Sequence, residues 1–161
     1  MVQNQATQQI FSLALDASAL EGLVKAGKYD WVSEYAMQIV QSKFYLVGEG
    51  KIEIELISQP HWKTLSPDDT RYEQPEVGDA LRFGAQYPDQ QRESPIVFLH
   101  EPWSGPNGGI SFVLVLRTDE GKARGLSYAP YSSGLNDWWP FPRIALRRRR
   151  ELDTNDLSRR L

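Results

Sequence analysis

Residues 110–116 read Ile-Ser-Phe-Val-Leu-Val-Leu, and no other stretch narrows the fold of this chain as much. The run shows almost no alternation of apolar and polar residues. A strand made from it has to be covered on both faces, which places it inside a sheet rather than at its rim. It is too short for a buried helix and is bounded by turn residues. Asp119-Glu120-Gly121 follows it, and residues 122–128 resume a strand-like pattern, so the pair reads as a β-hairpin.

Cover for such a strand comes from helices, and the N-terminal quarter supplies them. Ser18 and Glu21 have capping-box spacing, and a helix from there is expected to reach Ala26 and stop at Gly27. Asp30 is placed to cap a second helix. Its stripe is Trp31, Val32, Tyr35, Ala36, Ile39 and Val40, so residues 18–42 are expected to form a helical hairpin packed on the sheet. Residues 9–15 fit either a strand or a helix, and the helix start directly after them favours the strand.

Further strands are expected at 44–47 and 51–58, joined as a hairpin through Gly48-Glu49-Gly50. In the second arm Ile52, Ile54 and Leu56 alternate with Glu53 and Glu55. Residues 59–93 carry Pro60, Pro67, Pro75 and Pro88 and read as a long connection with one short strand at Ala80–Phe83. Ser94–Leu99 is the next strand, residues 102–109 a turn-rich loop, residues 129–142 an aromatic loop and Arg143–Leu146 a last strand. Asp153 is placed to cap a short terminal helix carrying Leu157 and Leu161. The expectation is a single α+β domain over 1–161, with an N-terminal helical hairpin packed on a mainly antiparallel sheet built from β-hairpins.

Charge is distributed unevenly along this domain. Residues 1–142 hold 11 Lys and Arg against 18 Asp and Glu, a net of −7, whereas the Arg-rich segment 143–161 holds seven Arg against three acids, a net of +4. The joint between the two parts reads Trp138-Trp139-Pro140-Phe141, followed shortly by Arg147-Arg148-Arg149-Arg150. Large apolar side chains beside consecutive guanidinium groups suit docking to a macromolecule. Trp138, Trp139 and Phe141 would be the anchors, and Arg147–Arg150 would steer and make charge-assisted hydrogen bonds. The expected partner is a protein with an acidic surface; nucleic acid bound through the same residues is the alternative, and the run is also able to lie on the chain's own acids, such as Glu53 and Glu55. Self-association is a further possibility for such a surface.

Candidates for chemistry are sparse. The chain has no Cys, which removes disulfides and thiolate nucleophiles. His100 follows a strand and precedes the Gly-rich stretch 104–109, which makes a small hydrolase centred on it the third reading, but no nucleophile completes the set. His61 and His100 lie 39 residues apart with no ligand spacing between them, so neither a metal nor another cofactor is expected. The N-terminus lacks a basic region followed by a long apolar run, and no stretch nears the ~20 apolar residues of a membrane span. The expected setting is cytoplasmic with no membrane contact, and the expected role is that of a non-catalytic accessory protein.

Overall fold

The computed structural model describes residues 9–15, 19–42, 50–66, 68–105, 110–131 and 142–149. It has fourteen described elements: β1 (Gln9–Leu15), α1 (Leu20–Ala26), β2 (Trp31–Val32), α2 (Glu34–Gln41), β3 (Gly50–Ser58), α3 (Gln59–Thr64), β4 (Tyr72–Glu73), α4 (Val77–Gln86), α5 (Gln90–Glu93), β5 (Ile96–Phe98), β6 (Trp103–Ser104), β7 (Ser111–Thr118), β8 (Arg124–Pro130) and β9 (Arg143–Arg148). The fold is α+β, and no described helix is long and apolar enough to cross a membrane.

All the strands join one sheet in the order β1-β3-β9-β5-β7-β8-β2, with β4 also on β9 and β6 also on β7. Most neighbours run antiparallel, but β5 with β9 and β2 with β8 run parallel. The hairpin β7–β8 lies where the apolar run predicts it. Val113, Leu114, Val115 and Leu116 are all fully buried, Leu114 and Leu116 in the larger core cluster and Val113 and Val115 in the smaller one. Alternate side chains of a strand face opposite sides, so β7 feeds both cores. Ile110 is not part of it and is half-exposed.

The larger core lies under α1, α2 and α4, and the smaller one under Trp62 of α3 on the other face, called the outer face below. Helix α4 corrects the expectation of a strand at Ala80–Phe83. Its first turn is closed by the backbone N–H of Glu76, which donates to the Asp79 carboxylate at 2.9 Å. Val77, Ala80, Leu81 and Phe83 then enter the core, where Phe83 meets Phe11 at 5.1 Å and Phe98 at 5.8 Å between ring centroids. The interior Asp79, Arg82 and Gly84 disguise this helix in the sequence.

The helical hairpin is also corrected, because β2 is interposed between α1 and α2. Trp31 and Val32 pair with Gly125 and Leu126 instead of extending the helix. Gly125 makes this pairing possible, since a Cβ on it would lie 2.1 Å from the Trp31 ring. Asp30 does not cap α2. Its carboxylate accepts from the backbone N–H of Arg124 at 2.7 Å, and the Ser33 hydroxyl accepts from Ala36 N–H at 3.2 Å as the cap. The buried Arg124 guanidinium ties these parts together. It donates to the Gly27 and Gly84 carbonyls at 2.8 and 3.0 Å, so its charge faces the negative ends of α1 and α4.

The strand 51–58 is present as β3, but its described partners are β1 and β9 rather than a preceding hairpin arm. The expected arm 44–47 and the helix at Asp153 lie outside the described residues. Hairpins thus account for only part of the sheet. Its β1-β3-β9 side is assembled from strands far apart in sequence, with Gln9 opposite Leu56 and Ile54 opposite Arg147.

Candidate functional site

The last strand continues past Leu146 to Arg148, which takes the start of the Arg run into the sheet. Strand alternation then divides the run. Arg147 points to the helical side, where its guanidinium lies 3.4 Å from Asp79, 3.8 Å from Glu73 and 4.0 Å from Glu76. Arg148 points to the outer side, 3.5 Å from Glu53 and 3.7 Å from Glu55. Arg149 is exposed, and its backbone N–H donates to the Arg71 carbonyl at 2.8 Å. Trp138, Trp139, Phe141 and Arg150 lie outside the described residues.

The acids beneath these arginines sit in unlike surroundings. Asp79 is fully buried, and burial pushes its carboxyl up to about 6, against the opposing pull of the Glu76 N–H and the Arg147 charge. Glu55 is nearly buried and accepts a 2.6 Å hydrogen bond from the Tyr72 hydroxyl. Burial, with that bond second, raises the Tyr72 phenol to about 12. Asp69 is held down at about 2 by a two-pronged hydrogen bond from Arg71, at 3.0 and 2.7 Å. The same guanidinium lies over the Tyr72 ring, 5.3 Å from its centroid.

Beside this cluster the outer face opens into a groove of about 570 Å³. Helix α3 contributes Trp62 and the turn after it Leu65, β4 contributes Tyr72, β9 contributes Leu146, and the ends of β5 and β8 lead into Leu99 and Tyr131. Asp69 and Glu73 add acid to its lining. Tyr131 is 45% exposed. The groove is thus apolar or aromatic at six positions and polar at Ser66, Asp69, Glu73 and Gln74, a mixed lining able to bury part of a ligand or a partner side chain.

His100 has a different role. It is buried, and its Nε2 accepts from the Leu114 backbone N–H at 2.9 Å. That contact assigns the proton to Nδ1, which donates to the Glu101 carbonyl at 2.8 Å. Both ring nitrogens are occupied by backbone groups, and the imidazole clips the loop after β5 onto β7. Among the described residues no group of three or more His, Asp and Glu is placed to hold a metal ion.

The sequence reading brought Arg147 and Arg148 forward but missed the groove and Asp79. The groove collects residues from five separate stretches, which no local pattern reveals. Asp79 did carry a signal, since Glu76 and Asp79 stand three apart directly before an apolar stripe. No family model matches the chain, and no match was found among curated proteins or solved structures.

Proposed function

We propose that this chain is a non-catalytic interaction protein, and that it docks a macromolecular partner on the outer face of its sheet beside the C-terminal strand. The observation that carries this reading is the adjacency of a largely apolar groove and the exposed Arg71 guanidinium, which contacts Asp69 and Tyr72 of its lining. Tyr72 and Leu146 line the groove, Tyr72 pairs with Arg148, and the next paired residues outward are Arg71 and Arg149. Arg71 is 59% exposed despite its contact with Asp69. An apolar recess gives a partner area to bury, while rim cations set approach and orientation. The partner class that fits is a protein presenting carboxylates around an apolar or aromatic anchor. On this reading Trp138, Trp139, Phe141 and Arg150 are further contacts, proposed from sequence position alone, and the setting is cytoplasmic.

Arg147 and Arg148 contribute less to that surface than their place in the run suggests, because acids of the same chain occupy them. This favours a protein partner over nucleic acid, which wants guanidinium groups available to phosphates. The engagement of both His100 nitrogens lends no support to a hydrolase centred there.

A photo-crosslinking amino acid at Tyr131, compared with one at Glu21 on the exposed side of α1, tests the proposal in the source cells. Protein adducts from position 131 alone, weakened by Arg71→Glu with Arg149→Glu, are expected. Protein adducts from position 21 with none from 131 would overturn it, and nuclease-sensitive adducts would transfer the surface to nucleic acid.

A further inference from the structure

We infer that Gln86 and Tyr87 act as a stopper on the exposed edge of the sheet, and that β1 is a latent surface for pairing with β1 of a second copy of this chain. Strand β1 stands at the end of the strand order, with β3 its single neighbour among the described strands. Its sequence, Gln-Ile-Phe-Ser-Leu-Ala-Leu, has no charge, no Pro and no Gly. Natural sheets usually blunt such an edge with one of these, because its outward N–H and C=O groups are a template for another strand.

Here the blunting comes from the end of α4. The Gln86 side chain accepts from Ala14 N–H at 3.0 Å and donates to the Ala14 carbonyl at 2.9 Å. A primary amide thereby presents to Ala14 the same donor and acceptor that the peptide groups of a neighbouring strand would present. The Tyr87 hydroxyl donates to the Ser12 carbonyl at 2.6 Å, two residues along. Ser12 and Ala14 belong to the alternate set whose backbone groups face away from β3. Both side chains are thus placed on the positions that an added strand would use.

A second copy is the occupant that fits this edge. Antiparallel pairing of β1 with itself is isologous, so each copy offers the outward groups the other lacks, and no charge within the seven residues opposes it. All three hydrogen bonds are solvent-exposed, so water satisfies the groups when they are broken and the domain stays folded. The Tyr87 ring packs on Phe11 at 4.9 Å and on Phe83 at 5.3 Å, so Tyr87→Phe removes the hydroxyl and keeps the packing.

The test uses the full chain. Light scattering on a sizing column, over a concentration series, compares the wild type with Gln86→Ala/Tyr87→Phe. The expected result is a monomeric wild type and a double variant that runs as a dimer or larger, with Ser12→Lys added to it restoring the monomer mass. A folded double variant with the wild-type mass, or assembly that Ser12→Lys leaves intact, would overturn the inference. So would a wild type that is itself an oligomer broken by Ser12→Lys. Should the double variant fail to fold, Gln86→Glu carries the test. It keeps the acceptor for Ala14 N–H and loses the donor; a weaker shift to larger mass is expected, and an unchanged mass refutes the stopper.

Discussion

Asp79→Asn should make the domain more stable at neutral pH, and the gain should vanish in mild acid. The wild-type carboxylate is fully buried at the start of α4, with Arg147 3.4 Å away as its nearest guanidinium. Its folded value of about 6 lies above the ordinary 3.8, because burial outweighs the attraction of that cation. The folded state therefore holds this proton more tightly than the unfolded state does. The resulting stability is fully present below about pH 4 and is lost as pH rises through about 6. The gap between the two values corresponds to about 3 kcal/mol at neutral pH. Asn has the shape of the protonated acid and can still accept from the Glu76 N–H, so it escapes the cost of a buried charge. Urea unfolding followed by tryptophan fluorescence, from pH 4 to 7.5, measures both proteins. Subtracting the two curves cancels every group they share. The difference should be near zero at pH 4 and rise to between one and three kcal/mol at pH 7. A flat difference, or a wild type more stable than the variant at pH 7, would show that the ion pair with Arg147 outweighs burial and would refute the reasoning.

Four other substitutions probe separate parts of the structure. Arg147→Ser should lower stability by about 1–2 kcal/mol at pH 7, because Asp79, already near 6, then takes up a proton at about 1.4 kcal/mol per pH unit rather than stay charged without Arg147; Arg148→Ser breaks more exposed pairs and should cost under about 1 kcal/mol with no dependence on Asp79, and equal losses at pH 7 that stay equal at pH 4 would contradict the division of the run between two faces. Gly125→Ala should cost about 1–3 kcal/mol by driving a methyl group into the Trp31 ring, with quenched or shifted Trp emission as its mark; an unchanged melting temperature would mean β2 is not held there. Val113→Asp should abolish the folded far-UV dichroism, since it buries a charge in the outer core among Val97, Val115 and Ile144, and a soluble, normally melting variant would contradict that placement.

What the sequence reveals of this fold is what depends on near neighbours. The β7–β8 hairpin is legible because an apolar run, a turn and a second strand follow one another within 20 residues. Helix α1 ends at Gly27 as its composition suggests. Helix α4 is obscured because Asp79 and Arg82 sit on its buried surface, where a hydrophobic pattern should have no charge. Such charges are tolerable only with partners brought from elsewhere, and for Asp79 that partner is Arg147, 68 residues away in sequence. The groove is hidden for the same reason, since its walls come from α3, β4, β9 and the ends of β5 and β8.

The Arg run carries this lesson into function. Four consecutive arginines look alike in the sequence, yet β9 takes in the first two and turns them to opposite faces. Arg147 meets acids of β4 and α4, and Arg148 meets acids of β3. The acidic excess of residues 1–142 and the basic excess of the segment after them are therefore partly complementary within one molecule, and the net charge of −3 conceals that internal match. A docking surface here cannot be read as the sum of four positive charges. On the proposed reading it is a smaller set: the groove, the exposed Arg71 guanidinium that holds Asp69 at its wall, and Arg149 next to Arg71 along the backbone. On that reading a partner has to match shape as well as charge, because Glu53, Glu73 and Asp69 already pair with Arg148, Arg147 and Arg71 and leave little net positive charge to hold a ligand that is merely anionic.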